Sequence, residues 1–145
     1  LSHFPKAKVI NIVRDPRDCY ASSKSHVHIA QKTPLSFAKY WTRSIDAREK
    51  YWNQSAIYDV RYENFVCAPE QIIDDVMSHI GEQFEPSQIT VDIMADDPRA
   101  HTDAFRLLGS SITSASVGRW KNDLDANEIQ YIEKVAEEHS QYFYD

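Results

Sequence analysis

Residues 8–13 read KVINIV and run straight into RDPRD at residues 14–18, with a serine at position 22. This short stretch restricts the fold more than any other. The run is rich in β-branched residues and apolar on both faces apart from Asn11, which fits a parallel strand covered by helices on both sides. It ends on an arginine and a tight turn, and a helix is predicted over 17–26 with the Ser22 hydroxyl one to two turns inside. A rigid strand end, the planar donor fork of Arg14 and the N–H groups of a helix start are parts from which a chain builds a site for a phosphate dianion. A plainer role for Arg14 is an ion pair with Asp15 or Asp18, and Ser22 by itself is an ordinary helix residue. Jointly they say more, because a strand-end arginine and a hydroxyl in the next helix can converge on one phosphate.

Thr33 and Pro34 have the form of an N-cap and first helical residue. Phe37, Trp41, Ile45, Arg48 and Trp52 then recur at helical spacing, so a helix is predicted over 34–52. Residues 56–61 read as a second strand, and strand, helices and strand make a βαβ crossover, expected to be right-handed. A helix over 69–80 carries Ile72, Ile73, Val76, Met77 and Ile80 on one stripe and ends at Gly81. A shorter helical stretch is predicted over 85–94, and residues 99–116 read as a long mobile loop. The last helix starts at Asp125, with Glu128 as its capping-box partner and Ile129, Ile132, Val135, Ala136 and Phe143 as its stripe. The class is α/β. Two strands fall short of the roughly four to six of a doubly wound sheet. The chain also begins at Leu1 rather than Met, so the expectation is a single, partial domain over residues 1–145.

A net charge of −6 argues against a general nucleic-acid binder, which needs a basic field, although a few cations focused in one cleft can still hold a small anion. No run of 18 apolar residues exists, and Cys19 and Cys67 lie far apart with no C-x-x-C. A reducing, cytoplasmic setting is the expectation.

Phe4 to Lys8, RDPRD and Ser22 together resemble the 3′-phosphate-binding segment of sulfotransferases that use 3′-phosphoadenosine 5′-phosphosulfate (PAPS). The resemblance implies that Arg14 and Ser22 hold the 3′-phosphate, with Arg17 and Asp18 shaping the turn and helix start. Residues 60–65, VRYENF, followed by APE at 68–70, look like that family's strand-end RYEDL…P element, with Asn64 in place of the usual Asp. This makes Tyr62 the candidate for adenine contact. Residues 116–124, SVGRWKNDL, resemble a late G-R-W-K-N element, in which Trp120 reads as a packing anchor. An R-K-G triplet that some branches place just upstream is replaced by Thr113, Ser114 and Ala115, so Ser114, Ser116 or a backbone N–H is left to serve in its place. The fold implied is a parallel α/β sheet related to P-loop nucleotide kinases, here in part.

Sulfuryl transfer needs a base for the acceptor proton and cations for the leaving phosphate. No G-x-x-x-x-G-K-[ST] loop occurs within these residues, and the catalytic residues are unknown. His26 and His28, and His101 with Asp103, are weak candidates, and no His, Cys or Asp cluster has metal-ligand spacing, so no metal is expected. The reading is a sulfotransferase acting on a small-molecule, glycan or peptide acceptor, whose chain carries the 3′-phosphate and adenine half of the donor site and is inactive alone. A nucleotide-kinase-like phosphotransferase and a non-catalytic domain of the same fold are the alternatives. Acceptor selectivity is expected in loops, at residues 25–33 and 99–116.

Overall fold

The computed structural model describes residues 6–24, 32–50, 55–90 and 111–144. The chain divides into two compact units, Leu1–Ile12 with Ala56–Ser114, and Val13–Ser55 with Ala115–Asp145.

In the first unit, β1 (Val9–Val13, whose last residue opens the second unit) pairs in parallel with β2 (Ile57–Arg61). Asn11, the polar exception of the strand run, donates from Nδ2 to Asp59 Oδ1 at 2.7 Å and ties the two strands side chain to side chain. The expectation of a strand covered on both faces is corrected here. Val9 and Ile12 are 36% and 65% exposed, and among the described residues the sheet has two strands. β-Branched residues suit the pleat whether or not both faces are covered, so the composition identified a strand without fixing its burial.

Two helices follow β2. The first, α3 (Tyr62–Cys67), is six residues long, too short for a periodic stripe to reveal. The next, α4 (Pro69–Ile80), has the bounds its sequence predicts, with Pro69 in its first turn. Gly81 closes it at φ 89, a left-handed conformation that favours glycine, and its N–H reaches the carbonyls of Met77 and Ser78. Among the described residues of this unit, Val60, Val66 and Val76 are the buried apolar positions. A 3₁₀ turn at Pro86–Ile89 takes up the start of the helix predicted over 85–94, whose last four residues lie outside the described ones.

The second unit is helical. It contains α1 (Pro16–Ser23), α2 (Pro34–Glu49), α5 (Trp120–Asp123), α6 (Ala126–Val135) and a 3₁₀ segment at Glu137–Tyr142. α1 ends three residues before the predicted limit, with Lys24 as its C-cap. Thr33 caps α2 in a reciprocal box with Ser36, and Asp125 caps α6 with Glu128. α2 packs against α6, so that Phe37, Trp41 and Ile45 of one stripe meet Ile132 and Ala136 of the other, the last two fully buried. Phe37, Ile45 and Ile132 each contribute about 1.5–3 kcal/mol through burial. Trp52 lies outside the described residues, as do residues 99–110 of the predicted loop.

Tyr20 sits in this core, with its hydroxyl 3.3 Å from the Lys32 carbonyl and 3.5 Å from Glu128 Oε1. Burial, and then the Glu128 carboxylate, raise its phenol above the ordinary tyrosine range. A raised folded-state value gives stability that is whole below about pH 10 and is lost as pH climbs through the folded value. Urea denaturation across alkaline pH is therefore expected to show a falling limb that Tyr20→Phe flattens. An identical limb in the variant contradicts the assignment.

Candidate functional site

Where β1 ends, the backbone carbonyl of Arg14 accepts from the Trp41 indole N–H at 3.2 Å, which pins the strand end to α2 within the second unit. Asp15 follows as the N-cap of α1. It is fully buried, and its carboxylate accepts from Arg17 N at 2.7 Å and from Tyr144 N at 2.8 Å. Pro16 has no N–H to offer. The expectation that the start of α1 lends open N–H groups to an anion is thus corrected: a buried carboxylate of the chain already occupies that position.

The two arginines of RDPRD have separate tasks. Arg17 is 3% exposed, and its guanidinium bonds Asp15 through Nε and Nη2, Glu133 through Nη1 at 2.9 Å and the Tyr144 carbonyl at 3.2 Å. It also stacks over the Trp120 ring at 3.9 Å and lies 4.9 Å from that of Phe143. This arginine is built into the core. Arg14 is 17% exposed at its side chain and donates from Nη2 to the Ser116 carbonyl at 2.6 Å, while the same nitrogen stands 4.0 Å from Asp18 Oδ2.

Asp18 explains that long separation. Fully buried, it accepts from Gly118 N at 2.8 Å through Oδ2 and from Trp120 N at 3.0 Å through Oδ1. The carboxylate is aimed at two backbone donors of a turn 100 residues away, rather than at the neighbouring guanidinium. Gly118 has φ 72, so the turn calls for glycine at that position. Arg17 takes the close contacts to Asp15 and Glu133, and Arg14 bonds the Ser116 carbonyl.

Ser22, half-buried, lies four residues beyond Asp18 on α1 and so on the same helix face, one turn further on. Ser116 meets Arg14 through its backbone oxygen. Tyr62 belongs to the first unit, where it opens α3 and is half-buried. Ser114 is exposed in the approach to the turn. His26, His28, His101 and Asp103 fall outside the described residues. Sequence reasoning did not find the Asp18 clamp, since nothing in the spacing links an aspartate to amides so far along the chain. The paired presence of RDPRD and GRW was the available sign.

The profile of the sulfotransferase family matches residues 1–86, and the chain belongs to this family. Its members' chemistry is sulfuryl transfer. Arg14, Ser22 and Tyr62 lie within the matched stretch and Ser116 beyond it. No curated protein and no solved structure matches the chain. No helix among the described residues is long and apolar enough to cross a membrane.

Removing the Asp18 carboxylate leaves two partly buried N–H groups without their charged acceptor. Asp18→Ala is expected to cost about 3 kcal/mol in urea unfolding. Gly118→Ala meets no side-chain obstacle and should cost about 1–2 kcal/mol from its φ alone. A loss under about 1 kcal/mol for Asp18→Ala would mean that other contacts hold the turn.

Proposed function

We propose that this chain forms the 3′-phosphate and adenine half of the donor site in a sulfotransferase that uses PAPS and sulfonates a hydroxyl or amine. The observation that carries the reading is the placement of Arg14. It is a guanidinium at a strand end, partly open to solvent, held by a neutral oxygen, with the adjacent carboxylate directed elsewhere. Such a group fits a phosphate ester, because its planar fork can bond two oxygens of a dianion at once. Ser22, on the Asp18 face of α1, supplies the hydroxyl. Ser116 contributes through the main chain that orients Arg14. The family motif alone assigns Tyr62 to adenine.

PAPS, when bound, supplies the sulfuryl group, and its product is adenosine 3′,5′-bisphosphate. The residues named here grip and orient the nucleotide end. A glycine-rich loop for the 5′-phosphosulfate is not among these 145 residues, so the reading is of a P-loop-like fold held in part, with binding rather than turnover as its readout. The acceptor is a small molecule, glycan or peptide, and the setting proposed is cytoplasmic, with no nucleic-acid partner.

Titration calorimetry with adenosine 3′,5′-bisphosphate tests the assignment. Arg14→Ala should weaken binding by about 1.5–3 kcal/mol, roughly 10- to 150-fold in Kd. Ser22→Ala should weaken it by about 0.5–1.5 kcal/mol. Affinity unchanged in Arg14→Ala removes the phosphate assignment. The bisphosphate should also raise the melting temperature more than ATP does, since a ligand that binds the native state stabilises it by mass action. Equal or larger shifts with ATP favour a phosphotransferase-like site.

A further inference from the structure

In the second unit, Asp46 and Glu49 on the last turn of α2 meet His139 of the 3₁₀ segment, and one ligand atom from each lies within 4.8 Å of the others. Their spacing of three residues puts both carboxylates on one helix face. Residue 139 is 93 positions from Asp46, which is why linear spacing shows no ligand cluster here.

The three groups are not equivalent. His139 is 4% exposed, whereas the side chains of Asp46 and Glu49 are 59% and 40% exposed. His139 Nε2 stands 2.9 Å from Asp46 Oδ1. An ionised carboxylate can only accept, so Nε2 carries the proton and donates. The other ring nitrogen, Nδ1, is buried and makes no hydrogen bond, although Glu49 Oε1 lies 3.5 Å from it. In the neutral ring this is a lone pair facing an anionic oxygen, two acceptors with nothing between them. The imidazole is held in place by the edge of Trp41, ring centres 6.1 Å apart, and by a backbone that leaves helical geometry at His139 itself.

We infer that His139 Nδ1 and Glu49 form a site for a zinc-class divalent cation, with Asp46 fixing the imidazole tautomer from the opposite nitrogen. Three observations converge on it. Zn–N and Zn–O bonds of about 2.1 Å at a tetrahedral angle place their two atoms about 3.4 Å apart, close to the separation found. A carboxylate on the far nitrogen is the usual outer partner of a metal-bound imidazole, and it sets which nitrogen is left to bind. The exposed side of the cluster gives a cation its entry and lets water complete the shell. One nitrogen and one carboxylate suit zinc or cobalt, and suit magnesium poorly, which prefers an all-oxygen octahedron. Bound there, the cation fastens the Glu137–Tyr142 segment to the end of α2. The inference does not rest on the donor-site reading, since none of the three residues is assigned to the nucleotide.

The test is titration of the metal-stripped chain with Zn²⁺ by calorimetry and with Co²⁺ by visible absorption. The expected result is one saturable site per chain, with the intense d–d bands of tetrahedral Co²⁺ and no competition from millimolar Mg²⁺. Because both carboxylates are solvent-exposed, Glu49→Gln and Asp46→Asn should fold normally, which circular dichroism checks. Glu49→Gln should lose the cobalt bands and weaken Zn²⁺ at least tenfold, and Asp46→Asn should weaken it about 10- to 100-fold. Absence of saturable uptake would overturn the site. Uptake of equal strength in parent and Glu49→Gln would assign the metal to other histidines and overturn it too.

Discussion

A single buried carboxylate fixes the geometry around the candidate phosphate site. Asp18 sits in the first turn of α1 and binds the amides of Gly118 and Trp120, joining the start of that helix to a turn 100 residues downstream. Amide-to-carboxylate bonds are charge-assisted, and burial makes them costly to break, so the joint resists both thermal opening and sliding. Once the turn is seated, the Ser116 carbonyl comes to the Arg14 guanidinium and Trp120 lies under Arg17. Every orientation discussed for Arg14 follows from that connection.

The charge arithmetic of RDPRD then becomes intelligible. Two aspartates and two arginines could form two compact ion pairs and leave nothing for a ligand. Instead, Asp15 and Arg17 pair tightly in the interior, with Glu133 as a further partner, and Asp18 turns to backbone donors. Arg14 keeps a weak, 4.0 Å association with Asp18 and a short bond to a neutral oxygen. At the N-terminus of α1, Asp15 caps the Arg17 N–H and Pro16 has no N–H. Under the proposed reading, recognition falls on side chains, and substitutions at Arg14 should be felt strongly.

Much of this was legible in the sequence, for reasons that differ by element. α4, with its apolar stripe, Pro69 and Gly81, carried start, face and stop signals together. The caps at Thr33 and Asp125 were equally local. Strand β1 was recognisable from β-branching, but its coverage was not, since burial depends on what packs against it. The six-residue α3 offered no period to read. At the candidate site, the pairing of Arg14 with Asp18 could be weighed in advance because four residues separate them. The Ser116 carbonyl, the Asp18 clamp and the meeting of His139 with Asp46 and Glu49 span some 90 to 102 residues, and local spacing is silent at that range.

The central claim is that the clamp presents Arg14, with Ser22 one turn beyond Asp18 on α1, to one phosphate. A crystal structure of the chain with adenosine 3′,5′-bisphosphate measures this directly. The account predicts the 3′-phosphate within hydrogen-bond distance of both the Arg14 guanidinium and the Ser22 hydroxyl, with the Asp18 bonds to Gly118 and Trp120 intact. A bisphosphate seated elsewhere, or an Arg14 drawn fully onto Asp18 while Ser22 points away, would contradict it.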